Sequence, residues 1–213
     1  MKKHRVFIFA AISFVIVLSA VIFLQKNAAP TRLTTDEVAA LRGKYPVCSG
    51  SPPLIETVPL SLADCAAMAD TFLYGKIEGE AQYFNQSISD FYEYTLVILS
   101  DTSEKYEPGD RVTIAANVLF KDYNPQFQDG MRIVTPIRAD QNNTSRTYFG
   151  TEGTYYVTPD GYAISAFEED AASYAAAPSG LRVETLLEKL KEMQKQTHKN
   201  RVRTFLQCIP CLF

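Results

Sequence analysis

The chain has 213 residues with a formal net charge of −3, four cysteines, two histidines and no tryptophan. With so little imidazole, a serine or cysteine triad and a histidine-ligated metal centre are both disfavoured, since each is built around a histidine. The charge is also uneven: between Asn27 and Leu187, 11 basic residues stand against 22 acidic ones, a net near −11. That argues against nucleic acid as a partner, because phosphate is held by clusters of Lys and Arg.

Taken in order, the chain opens with Lys2, Lys3 and Arg5 and then runs without a charge from Val6 to Leu24. As a helix this stretch is about 28 Å long, close to the roughly 30 Å of a hydrocarbon core. The basic residues on its short side predict a cytoplasmic N-terminus and an extracytoplasmic remainder, so residues 1–26 read as a single-pass signal anchor. A cleaved signal peptide is the alternative, with small residues at Leu18-Ser19-Ala20, although the apolar run continues past them to Leu24. The chain beyond Lys26 has room for one ordinary domain and its tails.

Residues 27–60 read as a spacer. Thr34 with Glu37 three positions on predicts a short capped helix to Arg42, and Pro46, Pro52, Pro53 and Pro59 predict an irregular segment after it. Ser61 with Asp64 predicts a second short helix to about Ala69. Alternation then replaces helical periodicity. Strands are expected at Thr71–Glu80, bent at Gly75 and Gly79, at Phe91–Ser100, at Arg111–Val118, and at Met131–Arg138, where Pro136 implies an edge or a bulge. Thr154–Thr158 and Tyr162–Phe167 pair across the turn Pro159-Asp160-Gly161. A last helix from about Leu181 to Lys195 carries an apolar stripe of Leu181, Val183, Leu186, Leu187, Leu190 and Met193. The tail, residues 197–213, is basic and apolar and contains Cys208-Ile209-Pro210-Cys211.

About six short strands and a terminal helix over residues 61–196 predict a mainly β domain, a small OB-like Greek-key barrel in preference to a two-sheet sandwich. The series Asp70-Thr71-Phe72-Leu73-Tyr74-Gly75-Lys76-Ile77, Tyr94–Leu99, Pro108-Gly109-Asp110-Arg111-Val112-Thr113-Ile114, Asp129-Gly130, Tyr155-Tyr156-Val157 and Gly161-Tyr162-Ala163-Ile164 resembles a family of small bacterial exported domains. Those domains are similar in turn to the OB-fold of tissue inhibitors of metalloproteinases and netrin-like modules. The resemblance implies a fold and an exported location but little chemistry. The inhibitors ligate a protease zinc through a free N-terminal cysteine; here an anchor occupies the N-terminus and the first cysteine is Cys48, so inhibition by that route is not implied.

In an oxidising compartment a disulfide between Cys48 and Cys65 would staple the proline-rich segment to the second helix, closing a loop of about seventeen residues worth about 3 kcal/mol. Cys208 and Cys211 are the one pair with a redox spacing, yet Pro210 and the nearby end of the chain leave no helix to start at them, so a local or cross-chain disulfide and an inert tail remain beside it. Glu168, Glu169 and Asp170 read as a solvated turn, and Asp122, Asp129 and Asp140 lack a calcium-loop spacing. Tyr83, Phe84, Phe91 and Tyr92, with Tyr123 and Phe127 from the segment Lys121–Gly130, are the candidate binding face, Phe91 also being expected in the core. The resulting expectation is a membrane-tethered, extracytoplasmic, non-enzymatic binding module without cofactor or metal, whose partner is an envelope protein, a peptide or a glycan. A thiol–disulfide protein working through Cys208 and Cys211 is the alternative.

Overall fold

Side-chain oxygens placed three residues before a backbone donor start both short helices. In the computed structural model, which describes residues 30–48, 61–86, 89–118, 124–139, 147–149, 153–167 and 179–208, helix α1 is Thr35–Leu41 and helix α2 is Leu62–Met68. Thr34 Oγ1 accepts from the Glu37 amide at 3.3 Å while the Thr34 amide donates to Glu37 Oε2 at 2.7 Å. Ser61 and Asp64 repeat the exchange at 3.1 and 3.2 Å. Each box satisfies amides that a helix start otherwise leaves open.

The sheet is built from seven strands: β1 Thr71–Gln86, β2 Ser89–Asp101, β3 Arg111–Asn117, β4 Arg132–Ala139, β5 Thr147–Phe149, β6 Tyr155–Val157 and β7 Ala163–Ser165. Their order is β1-β2-β3-β5-β4-β6-β7, with a further pairing of β1 to β4. Every ladder is antiparallel except β3 with β5. The ladders thus lead from β1 through β2, β3, β5 and β4 back to β1. The expected closed barrel is nevertheless not formed. Among the described residues β5 covers Thr147–Phe149 and meets β3 over Ile114↔Thr147 and Ala115↔Tyr148, and β6 and β7 carry the sheet on past β4. The result is a coiled sheet pinned by a short seam.

The sheet is packed on both faces. Along β1, β4, β6 and β7 consecutive residues alternate between two clusters: Phe72, Val134, Tyr155, Val157 and Ala163 in one, Leu73, Ile133, Tyr156 and Ile164 in the other. The first is covered by Leu62, Cys65 and Ala66 of α2 and by Val183, Leu186 and Leu190 of the last helix, α3 (Val183–Cys208). The second receives Val38 of α1 and Tyr45. Fully burying one such side chain contributes roughly 1.5–3 kcal/mol, so covering both faces is what makes the small sheet stable. Gln194 ties α3 down, its Oε1 accepting from Thr102 Oγ1 at 2.6 Å and its Nε2 donating to the Ala69 carbonyl at 3.3 Å, and Lys191 pairs with Glu104.

Several expectations change. Residues 32–48 are not a spacer but part of the unit Arg32–Phe213: Leu33 N donates to Gly180 O, Cys48 N to Ala166 O, both at 2.8 Å, and Arg42 Nη1 to Ser165 O at 2.6 Å. β4 is central, not an edge. Its Pro136 stands opposite Phe72, whose own amide and carbonyl both turn to Thr102, so the missing proline N–H points away from β1. On that other side Pro136 falls between Val134, the last residue paired with β6, and Ile137, the first paired with β5. No described ladder pair on that side therefore calls on the N–H that the proline lacks. The last helix runs on past Lys195 to Cys208 because no glycine or proline intervenes before Pro210. The expected span over residues 1–26 lies outside the described residues; among those described, no helix is long and apolar enough to cross a membrane.

Candidate functional site

The outer half of β1 behaves unlike the rest of the sheet. β4 accompanies β1 as far as Lys76, whereas β2 accompanies it to Gln86. The register between β1 and β2 shifts between Glu78 and Gln82, which frees this half of the strand from the pleat set by the body. From Glu78 to Phe84 every residue is exposed. Since successive side chains point to opposite faces, both faces of the strand are in water here. Two large rings occupy this arm, Tyr83 at 56% and Phe84 at 39% exposure.

The rings are held in place. Tyr83 stands across from Tyr92, edge to face with centroids 6.0 Å apart, and its Oη donates to Asp90 Oδ2 at 2.5 Å. Phe84 stands across from the buried Phe91. At the root, Arg111 grips Glu78 with two hydrogen bonds of 2.7 and 2.9 Å, which hold the Glu78 carboxyl below its usual range, and Gly79 N donates to Asp129 Oδ1 at 2.7 Å. A ring already fixed in one rotamer loses little entropy on contact, which is why such a surface favours binding. Beyond the Arg111–Glu78 pair at the root, the charge that the two strands carry is negative: from Ile77 to Glu104 there is no Lys or Arg, and Glu80, Asp90 and Glu93 lie on the arm. The arrangement suits a partner with cationic or amphipathic side chains.

The second grouping lies inside. Tyr45, Tyr94, Phe127 and Tyr156 form a chain of ring contacts, with centroids 5.7 Å apart for Tyr45–Tyr156, 6.4 Å for Phe127–Tyr156 and 5.1 Å for Tyr94–Phe127. Phe127 is 7% exposed, so its ring fills the core and is not offered at the surface as a contact. Tyr123 lies outside the described residues. Beside Tyr156 sits Cys48, whose thiol burial pushes up to about 12, with the Tyr156 hydroxyl pulling the other way. At pH 7 roughly one such thiol in 10⁵ is ionised, far too few for a nucleophile. The two groups are close but not aligned for a hydrogen bond, and among the described residues the buried Tyr156 Oη has no hydrogen-bond partner. Burial, followed by the neighbouring Cys48, raises the Tyr156 phenol as well.

No disulfide joins Cys48 to Cys65. Cys48 packs on the cluster that holds Leu73 and Tyr156, and Cys65 belongs to the cluster under α2 and α3. The sheet stands between them, a separation that chain spacing cannot reveal. Cys208 is the last residue of α3, and Cys211 lies outside the described residues. Among the described residues, no group of His, Cys, Asp or Glu could hold a metal ion. Of the candidate face, Tyr83, Phe84, Phe91 and Tyr92 are brought together on the arm, and Phe127 goes elsewhere. The Tyr83–Asp90 bond has no local signal in the sequence, because the two positions become neighbours only when β2 pairs back on β1. No protein-family model matches the chain, and no curated protein is found to be similar to it.

Proposed function

We propose that this protein is a membrane-tethered, extracytoplasmic binding module without enzymatic activity, and that the β1–β2 arm is its contact element. The observation that carries the reading is the pair of exposed, pre-positioned rings Tyr83 and Phe84 on a strand that is wet on both faces. The uncharged run Val6–Leu24 behind Lys2, Lys3 and Arg5 supports the tether and its direction. The return of the ladders from β4 to β1 supports an OB-like strand order, the order implied by the resemblance to exported domains of the netrin-like type.

Two measurements test this. Protease added to intact cells should digest the domain and spare the N-terminal segment; full protection of the domain refutes the topology. Full-length protein carrying Tyr83→Ser and Phe84→Ser should retain its circular dichroism and lose about tenfold or more in the yield of envelope cross-links, as expected when central aromatic anchors are removed. Unchanged yield refutes the arm as the contact element.

A further inference from the structure

We propose that the β1–β2 arm docks onto the basic C-terminal segment of a second copy of this chain, Lys195 to Arg203. The proposal rests on the arm being the contact element and names its partner. The two surfaces are complementary in charge. The arm offers exposed rings with Glu80, Asp90 and Glu93 and no basic residue from Ile77 to Glu104, while the stretch from Met193 to Phe213 has no acidic residue and carries Lys195, Lys199, Arg201 and Arg203. An ammonium or guanidinium over an exposed tyrosine face adds cation–π attraction to the carboxylate pairing.

The geometry requires that the partner be another copy. α3 begins beside the turn at Asp160, where Arg182 Nη1 donates to Asp160 O at 2.5 Å, and this turn lies next to Arg132, the partner of Lys76. It then passes Ala69 and Thr102, at the start of β1, where Gln194 is bonded. Helix and strand therefore run in opposite senses. Beyond Gln194 the helix leaves the body at the Thr71 end, and the arm leaves it at the other. Thr71 to Tyr83 alone spans about 40 Å at about 3.3 Å per residue. A contact of arm with tail is thus made between copies, either reciprocally in an antiparallel pair or repeated head to tail along a row of copies.

The test uses the full-length chain in nonionic detergent, with Tyr83→p-benzoylphenylalanine as a photo-cross-linker and equal amounts of ¹⁵N-labelled and unlabelled protein. Cross-links should join labelled to unlabelled copies and map to residues 195–203. Their yield should fall about tenfold between 50 and 500 mM NaCl, as charge screening requires. Lys199→Glu/Arg201→Glu/Arg203→Glu should abolish them, and mixing that chain with one carrying Glu80→Lys/Gln82→Lys should restore them; circular dichroism checks that each variant is folded. Cross-links that are absent, confined within one copy, or indifferent to the charge reversals overturn the proposal. So does a tail that binds vesicles of phosphatidylcholine with one-third phosphatidylglycerol while no cross-link between copies forms. If Tyr83 instead captures a different envelope protein and never a second copy, self-association falls and the arm keeps its role. If Tyr83→Ser/Phe84→Ser changes no capture of any kind, the binding-module reading falls with it.

Discussion

One strand belongs to two environments. From Thr71 to Ile77, β1 lies between β2 and β4, and Phe72 and Leu73 point into separate cores without exposure. From Glu78 to Phe84 the same strand is solvated on both faces and carries two large rings into water. Residue type does not explain the change, since phenylalanine and tyrosine occur in both halves; what differs is whether a second layer covers the strand. Apolar residues kept in an uncovered half point to contact with something else, whereas those in the covered half point to stability.

That contrast can be broken from the body outward. Leu186→Ala removes a fully buried side chain from between α3 and the sheet and should cost about 2–5 kcal/mol in chemical denaturation. Gly75→Ala should cost about 1–3 kcal/mol, because the added Cβ would come within 2.6 Å of the Val97 carbonyl oxygen, a backbone atom with little freedom to retreat. If it costs nothing, the covered half of β1 is less tightly held than described.

Alkaline pH provides a graded test of the same core. The Cys48 thiol rises from 9.0 to about 12 on folding, so the unfolded chain loses this proton first. The stabilisation is fully present below pH 9 and is lost as pH rises from 9 through about 12. The upward shift of Tyr156 acts in the same sense. Denaturation midpoints should therefore hold from pH 7 to 9 and then decline, and Cys48→Ala should flatten part of the decline. The smallest expected effect on stability is on the arm: Tyr83→Ser/Phe84→Ser should shift unfolding by about 0.5 kcal/mol or less, as exposed positions do. A loss of several kcal/mol would mean that the arm is structural after all, and the contrast would disappear.

Much of the fold was legible because its signals are local. Thr34 with Glu37 and Ser61 with Asp64 cap helices through contacts three residues long, and Val112, Ile114 and Ala116 mark the buried face of β3 by alternation. Pro159-Asp160-Gly161 makes the turn before β7, with Gly161 at φ +83° where a side chain would be strained. The remainder depends on distant neighbours. The three described residues of β5 are too few to show a period and are held by β4; Pro136 is tolerated because its pairing with Phe72 asks for no N–H; Phe127 enters the core to meet Tyr94 and Tyr156. The bridge expected between Cys48 and Cys65 fails for the same reason, since linear spacing says nothing about which side of a sheet a thiol occupies. The candidate face was half legible: its aromatic residues could be named, but not which of them the body would bury.

The described seam between β3 and β5 bears on how the molecule assembles. It joins Ile114 and Ala115 to Thr147 and Tyr148 across more than thirty residues of chain, so closing that loop gains little enthalpy for a large entropy loss. The hairpins of β1 with β2 and of β6 with β7 can zip locally well before it. Amide protons along this junction should thus exchange with solvent sooner than those at the heart of β4, making it the place where the domain breathes.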